Sequence, residues 1–361
     1  MTIAPERRER LDPSVFDLPV EKMRAGWYSD AYFNHARETL LADGRQPHVL
    51  MQVFQKQHSY LGGIDEAIAV LKLCSHDWDA LTVHALHDGD AIEPWETVLT
   101  IEGDYTLFAH LETVYLGVLA RRTLITTNVV RVLEAANGKP IIFMPARHDH
   151  HRIQTGDGYA AYVAGQVVGT EIGVTTDEQA SWWGGKGVGT VPHALIAAYG
   201  GDTVLAAQRF AAWAPADMNV TVLVDFENDS VRSALEVARA LGPRLWGVRL
   251  DTSESLVDRS LWEELGDFKP TGVNEHLVRK VRGALDAEGF ADVRIVVSGG
   301  FTVEKITAFE RAGVPVDAYG VGSSLIRGSN DFTADIVVTD GKRSGKVGRS
   351  VRPNARVELV E

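Results

Sequence analysis

A glycine-rich run that ends in a single histidine is the segment best suited to chemistry in this sequence. It extends from Gly184 to Gly189 and continues through Thr190-Val191-Pro192 to His193. Glycine lets the backbone approach an anion closely, and a helix that begins near His193 would point its first amides at that anion. The pattern predicts a site where His193 binds or accepts a phosphoryl group. The alternative is a flexible surface loop with an incidental histidine.

Acidic and basic residues stand where two short apolar runs end. Asp225 follows the run 220–224, while Arg249 and Asp251 flank the end of the run 246–250. Carboxylates are ligands that a hard cation such as Mg²⁺ prefers, so Asp225 and Asp251 are candidate metal ligands, directly or through water. Each is as well explained as the cap of a following helix.

Two glycine-rich turns follow the next two apolar runs. They contain Ser298, Gly299 and Gly300 in one case and Gly320, Gly322 and Ser323 in the other. Glycine turns between a strand and a helix, late in a barrel, are the usual position of a phosphate cup. We therefore expect both turns to contact a phosphate group.

The segment Arg147–Arg152 combines two arginines with three histidines and an aspartate. Its arginines suit bidentate contact with a carboxylate or phosphate. A metal site is less favoured, because adjacent histidines point in different directions and no Glu or Cys stands at the usual zinc spacing. Downstream, Gly156-Asp157-Gly158 is interpreted as a turn, and Trp182-Trp183 as packing or a lid against the glycine run.

These residues need a scaffold, and the pattern from about residue 130 supplies one. Short, mostly β-branched runs at 140–144, 220–224, 246–250, 293–297 and 317–321 predict buried parallel strands. Helices are predicted between these strands at 231–239, 274–287 and 302–311. Asp229 can cap the first of them, and a glycine closes each of the three. Fewer than eight units are clear, so we expect an irregular, incomplete α/β barrel.

The flanking segments differ from the barrel pattern. Residues 1–125 are predicted to form an N-terminal α+β domain, residues 126–330 the barrel, and residues 331–361 a C-terminal segment that returns to the N-terminal domain. A strand is expected at 332–338.

Composition limits the possible functions. The 361 residues carry 36 Lys+Arg and 49 Asp+Glu, a net charge of −13, which argues against general nucleic-acid binding. Cys74 stands alone, so a multi-cysteine zinc site is excluded and a reducing compartment fits. No signal core or membrane span is visible, and we expect a cytoplasmic protein.

Taken together, the segments resemble the nicotinate phosphoribosyltransferase family over most of the chain. The similarity lies in Tyr28–Phe33, Ile101–Gly103, Leu111–Thr113, Ala120–Thr123, Gly189–His193, Gly247–Asp251 and the two glycine turns. It implies a type II phosphoribosyltransferase fold, a homodimer with shared active sites, and synthesis of nicotinate mononucleotide from nicotinate and phosphoribosyl pyrophosphate (PRPP) in NAD salvage. It further implies Mg²⁺ and ATP hydrolysis through a phosphohistidine.

The resemblance also assigns roles to individual residues. His193 would carry the phosphoryl group, Arg249 and Asp251 would act at the leaving pyrophosphate, and the two turns would hold the 5′-phosphate. Arg147 would face the pyridine carboxylate or a phosphate, and Tyr32 would stack on the pyridine ring from the neighbouring subunit. Thr175 falls near the position where relatives that use nicotinamide carry a carboxylate, so its neutral hydroxyl favours the acid.

Some positions depart from the family pattern, and they keep alternatives open. Arg147-His148 replaces two arginines, and Asp251-Thr252-Ser253-Glu254 replaces Asp-Ser-Gly-Asp. The alternatives are a decarboxylating quinolinate phosphoribosyltransferase, a nicotinamide-specific enzyme, and a homologue that binds PRPP or nucleotide without turnover.

Overall fold

The computed structural model describes residues 9–264, 266 and 268–361. Residues 1–8, part of the segment predicted to lack a signal core, lie outside this description. The strands, in chain order, are β1 His48–Gln55, β2 Ser59–Tyr60, β3 Thr82–Ala85, β4 Ala91–Ile92, β5 Thr97–Asp104, β6 Ile141–Phe143, β7 Ile172–Val174, β8 Val220–Leu223, β9 Leu245–Leu250, β10 Arg294–Val297, β11 Ala318–Val321, β12 Phe332–Thr339, β13 Lys342–Arg343 and β14 Glu358–Leu359.

The helices complete the architecture. The α-helices are α1 Val20–Arg24, α2 Ala31–Ala42, α3 Ile64–Cys74, α4 Glu112–Ala135, α5 Gln154–Val168, α6 Asp177–Ala180, α7 His193–Ala198, α8 Thr203–Trp213, α9 Ser230–Leu241, α10 Glu275–Ala287 and α11 Val303–Arg311. Short 3₁₀ helices lie at Pro13–Val15, Tyr105–Leu107, Ala109–Leu111, Ala146–His148, His151–Ile153, Ser181–Trp183, Gly242–Arg244, Arg259–Glu264 and Ser323–Ile326.

The chain divides into two compact units. Unit 1 contains Met1–Val130, Tyr159–Val167 and Gly328–Glu361, and unit 2 contains Arg131–Gly158 and Val168–Arg327. In the described part of unit 1, an antiparallel sheet has the strand order β13-β12-β1-β5-β3-β14. Strand β12, from the end of the chain, pairs antiparallel with β1 along Gln55 to Val49.

The core of unit 1 lies between this sheet and α3. Residues Ile64 to Leu71 of α3 are all buried, and β1 buries Val49, Met51 and Val53. Gly63 caps α3 at φ +82°, and a side chain there would collide with Arg122. Glycine is therefore required where α3 begins beside α4.

Unit 2 is built on a parallel sheet with the order β7-β6-β11-β10-β9-β8. Its short strands are largely buried, as expected for parallel strands covered on both faces. The predicted incomplete α/β barrel is confirmed as this half-barrel. The three predicted helices are confirmed as α9, α10 and α11, with side-chain caps from Asp229, Asn274 and Thr302.

The glycine run spans the opening between the two edge strands of this sheet. The Val188 amide donates to the Val174 carbonyl at the end of β7 (2.7 Å), and the Val191 amide donates to the Thr221 carbonyl in β8 (2.8 Å). Val191 also forms an isolated parallel bridge with Val222. The run is therefore a structural connector as well as the approach to His193.

Two local interpretations from the sequence are wrong. Gly156-Asp157-Gly158 is not a turn but part of α5, where a Cβ on Gly158 would lie 2.2 Å from the Gln179 carbonyl oxygen. Here glycine serves close packing. Gly320 belongs to β11, as the strand predicted at 317–321 implies, and not to the glycine turn in which it was also placed; a Cβ on Gly320 would lie 2.8 Å from Met144.

Candidate functional site

The carboxyl ends of the six parallel strands bring most of the predicted site residues to one edge of unit 2. Because neighbouring parallel strands end at the same edge, residues that follow them in sequence become neighbours in space. Across the sheet they are Thr175 after β7, Arg147 after β6, Gly322 and Ser323 after β11, Ser298 to Gly300 after β10, Arg249 and Asp251 at the end of β9, and Asp225 after β8.

His193 and Asp225 form a hydrogen-bonded pair at the β8 end. His193 Nε2 lies 2.9 Å from Asp225 Oδ1; the side chain of Asp225 is 6% exposed and that of His193 is 42% exposed. The hydrogen bond to Asp225 is the main cause that raises the pKa of His193, while burial opposes it. A carboxylate only accepts hydrogen bonds, so Nε2 carries a proton and Nδ1 of the neutral ring keeps its lone pair.

Arg249, Asp251 and Ser298 form a connected polar network beside this pair. The Ser298 hydroxyl donates to Asp251 Oδ1 (2.6 Å) and accepts from Arg249 Nε (2.8 Å). Arg249 Nη2 lies 3.5 Å from Asp251 Oδ2. Arg249 Nη1 also donates to the Thr190 hydroxyl (3.4 Å), so the network extends into the glycine run.

The Ser298-Gly299-Gly300 turn is confirmed as a left-handed turn between β10 and α11. Gly299 and Gly300 have φ values of +84° and +69°, where glycine is the favoured residue. A Cβ on Gly299 would lie 3.4 Å from Asp251 Oδ1, and one on Gly300 would lie 2.4 Å from Glu254 Oε1. Both acidic side chains therefore border the turn closely.

The second glycine site has a different form. Gly322 follows β11, and Ser323 begins a short 3₁₀ helix. A Cβ on Gly322 would lie 3.1 Å from His148 Nε2, so the histidine ring packs over this glycine. Arg147, the predicted anion contact, is exposed in the 3₁₀ helix Ala146–His148.

Thr175 is held by a buried glutamine at the end of β7. Its amide and its hydroxyl both donate to Gln179 Oε1, at 3.0 and 3.2 Å. Gln179 is fully buried and belongs to a capping box with Thr176. Nearby, Trp183 packs against Gly185, in line with the packing predicted for the tryptophan pair.

Tyr32 belongs to unit 1. Its side chain is 62% exposed on α2, and its hydroxyl donates to Asp30 Oδ2 (3.2 Å). Asp30 is fixed in turn by the Thr113 hydroxyl (2.9 Å). Tyr32 is therefore an exposed aromatic residue on a locally ordered segment.

Within residues 9–264, 266 and 268–361, three or more His, Cys, Asp or Glu side chains nowhere converge in an arrangement that would hold a metal ion. In the segment 147–152, the rings of His150 and His151 pack against each other with centres 4.2 Å apart and planes tilted by 33°. In the described residues no helix is long and apolar enough to cross a membrane.

The sequence did not identify Lys305 as a site residue, nor Thr190 as the hydrogen-bond partner of Arg249. Lys305 Nζ donates to the Gly299 carbonyl oxygen (3.3 Å). Its signal was available, because a lysine in the first turn of a helix extends toward that helix's N-terminus and hence toward the preceding turn.

Comparisons with known proteins place this geometry in context. A family model described as the quinolinate phosphoribosyl transferase N-terminal domain matches residues 30–123. A nicotinate phosphoribosyltransferase of Mycobacterium tuberculosis is 33% identical over 256 residues, which make up 69% of this chain and 51% of that protein. The chain thus spans about half the length of the curated relatives it matches.

Solved structures extend the similarity along the chain. The structure of nicotinate-nucleotide pyrophosphorylase from Pyrococcus furiosus matches with 32% identity and a TM-score of 0.80, covering 96% of this chain and 85% of that one. Human nicotinic acid phosphoribosyltransferase matches with 17% identity and a TM-score of 0.63, covering 88% and 75%. The human structure supports the fold alone.

Proposed function

The chain belongs to the nicotinate phosphoribosyltransferase family of type II phosphoribosyltransferases, and from that premise we propose that it joins nicotinate to PRPP. The products are nicotinate mononucleotide and pyrophosphate, as in NAD salvage. The observation that carries the proposal is the Arg249–Asp251–Ser298 network beside His193–Asp225 at the strand ends. The name of the Mycobacterium tuberculosis relative supports the choice of nicotinate.

The proposed chemistry needs stabilisation of a leaving anion. The pyridine nitrogen forms a bond to the ribose C1, and the bond from C1 to the pyrophosphate oxygen breaks. Charge develops on pyrophosphate and on an oxocarbenium-like ribose, so a fixed cation near the leaving group lowers the barrier. Arg249 is fixed for that task, because Ser298, Asp251 and Thr190 hold its guanidinium.

Asp225 and Asp251 suit the proposed Mg²⁺. Magnesium is commonly held by one or two carboxylates together with substrate phosphates, and Asp225 and Asp251 follow the neighbouring strands β8 and β9 at this edge. Asp225 Oδ1 is engaged by His193 and Asp251 Oδ1 by Ser298, while Asp251 Oδ2 lies 3.5 Å from Arg249 Nη2. When bound, the ion would neutralise charge on pyrophosphate.

His193 is proposed to couple the reaction to ATP. Its Nδ1 lone pair attacks the γ-phosphorus of ATP and ADP leaves, which places positive charge on the ring. Asp225, bonded to Nε2, stabilises that charge. His193→Ala should abolish ATP stimulation and leave slow ATP-independent synthesis. Full ATP stimulation in this variant would refute the role.

Substrate recognition is assigned to the other end of the sheet edge. Arg147 is proposed to contact the pyridine carboxylate, Thr175 to favour the acid over the amide, and Gly320, Gly322 and Ser323 to help hold the 5′-phosphate. Tyr32 of a second copy is proposed to stack on the ring in a cytoplasmic homodimer. Buried, unpaired Cys74 fits a reducing compartment.

Quinolinate is the second candidate substrate, because the matched family model describes a quinolinate phosphoribosyl transferase domain. One assay separates the candidates: product formation from PRPP and Mg²⁺ with nicotinate, nicotinamide or quinolinate, each with and without ATP. Turnover of nicotinate, stimulated by ATP, supports the proposal. Carbon dioxide release from quinolinate supports the second candidate, and turnover of none supports a binding homologue.

A further inference from the structure

Lys305 is a half-buried cation that has no carboxylate within ion-pair distance in the described part of the chain. Its Nζ donates to the Gly299 carbonyl and lies 4.3 Å from the centre of the Phe301 ring. Burial lowers the pKa of Lys305, and Glu254 acts in the opposite direction from beyond ion-pair distance. Partly buried charges are usually paired, because removing a charge from water is costly. The lysine is therefore poised for an anion.

The neighbouring turn needs such a cation. Carboxylates of Asp251 and Glu254 both border Gly299 and Gly300, so a phosphate on the turn amides meets negative charge nearby. Arg249 is already engaged with Asp251 and Ser298. A second positive group at the turn would offset the negative charge of Glu254.

The position of Lys305 in α11 explains its reach. It is the third residue of the helix, and its amide donates to the Thr302 cap (3.4 Å). Helical side chains lean toward the N-terminus of their helix, which carries Nζ back to Gly299. An ammonium has three N–H donors, and one is used by the Gly299 carbonyl, so two are left for a ligand.

We propose that Lys305 binds the 5′-phosphate of PRPP at the Ser298-Gly299-Gly300 turn. This assignment rests on the proposed function and adds a charged ligand to the neutral amides of the turn. The phosphate is bound from two sides: the turn amides contribute hydrogen bonds, and Lys305 contributes the charge that offsets Glu254.

The test compares Lys305→Met and Lys305→Arg with Lys139→Met. Lys139 is a matched control because it is also partly buried and its Nζ lies 2.7 Å from Glu310 Oε1. Glu310 lies near the C-terminal end of α11, the helix that contains Lys305, and so at the opposite end from the turn. Calorimetry measures binding of ribose 5-phosphate and of inorganic pyrophosphate separately, and steady-state assays give KM for PRPP and kcat.

We expect Lys305→Met to weaken the affinity for ribose 5-phosphate about tenfold to a hundredfold, because a hydrogen bond to a charged group is lost. Pyrophosphate binding should change less than about threefold on the same scale. KM for PRPP should rise far more than kcat falls, because the lost contact is present in both the bound and the reacting state. Lys305→Arg should keep most of the affinity, and Lys139→Met should match the wild type.

Three outcomes would overturn the assignment. Two concern Lys305→Met: unchanged binding of ribose 5-phosphate, or a loss of binding confined to pyrophosphate. The third is an equal loss in Lys139→Met, which would trace the effect to the stability of α11. Failure of the wild type to use any pyridine substrate would refute the proposed function instead, while selective loss of ribose 5-phosphate binding would still support Lys305 as the phosphate ligand.

Discussion

Replacing Gly158 by alanine tests how the Thr175 end of the sheet edge is positioned. Gly158 lies in α5, and an alanine Cβ there would meet the Gln179 carbonyl oxygen at 2.2 Å and its carbonyl carbon and Cα at 2.7 Å. All three are backbone atoms, so no side-chain rotation removes the collision. Either α5 or the segment around Gln179 must move by about 1 Å to restore ordinary van der Waals separation.

The expected magnitude follows from two opposing effects. Overpacking a well-packed site lowers the free energy of unfolding by about 1–3 kcal/mol. Replacing glycine by alanine within a helix raises the free energy of unfolding by about 0.5–1 kcal/mol. Contact with rigid backbone puts Gly158→Ala at the high end, a net loss of about 2 kcal/mol. Gly283→Ala is the matched control: it also lies in a helix, α10, and its Cβ meets nothing within 4 Å. It should gain about 0.5–1 kcal/mol.

Thermal unfolding followed by calorimetry measures the difference. A gap near 3 kcal/mol between the two variants corresponds to roughly 6–12 °C in Tm for a unit of this size. Because Gln179 holds the amide and hydroxyl of Thr175, Gly158→Ala should also raise KM for nicotinate more than KM for PRPP. If Gly158→Ala melts at or above Gly283→Ala, the close approach of α5 to Gln179 is wrong.

Three further substitutions probe the charges of the structure. Asp225→Asn should lower the pKa of His193 in an NMR titration. Because the pKa of His193 is raised in the folded state, the variant should show its whole loss of stability below about pH 6.5, and the loss should vanish as the pH rises through the folded-state pKa. An unchanged titration of His193 would contradict the pairing. Burial raises the pKa of Glu112 to about 8, so the wild type should lose stability from about pH 4.3 up to about pH 8. Glu112→Gln should then be more stable in urea at pH 9 by a few kcal/mol and equal at pH 4; equal stability at pH 9 would argue against a neutral carboxyl. Ser298→Ala removes two hydrogen bonds to charged groups and should lower kcat/KM for PRPP on the order of a hundredfold, whereas a change under about threefold would deny the network a role.

The sequence was most informative where local chemistry determines structure. Helix caps at Asp229, Asn274 and Thr302 mark the beginnings of three helices, because a short polar side chain followed by an amphipathic segment satisfies the first helical amides. The strand runs were equally clear, and the parallel topology then placed their polar successors at one edge. The residues of the candidate site were therefore largely visible before the structure.

Long-range packing was not visible in the same way. Gly158 resembles a turn residue by type, yet its glycine accommodates the backbone of Gln179, 21 positions away in the chain (179 − 158). The His193–Asp225 hydrogen bond joins residues 32 apart, and a single sequence carries no signal for that pairing. Lys305 was missed because lysine is ordinarily a surface residue, although its place in the first turn of α11 directs it toward Gly299.

The pairing of β12 with β1 has a consequence for how the chain acquires its structure during synthesis. Strand β1 ends at Gln55, and its partner begins at Phe332. A ribosome synthesises the N-terminus first. One edge of β1 therefore stays unpaired while the residues of unit 2, Arg131–Gly158 and Val168–Arg327, are synthesised. The parallel sheet of unit 2 has all its strands before β12 emerges, so unit 2 can complete its sheet first. Loss of β12 by truncation would thus remove an inner strand from the antiparallel sheet of unit 1. The backbone of β1 would then be an unpaired sheet edge, which other chains can pair with and aggregate.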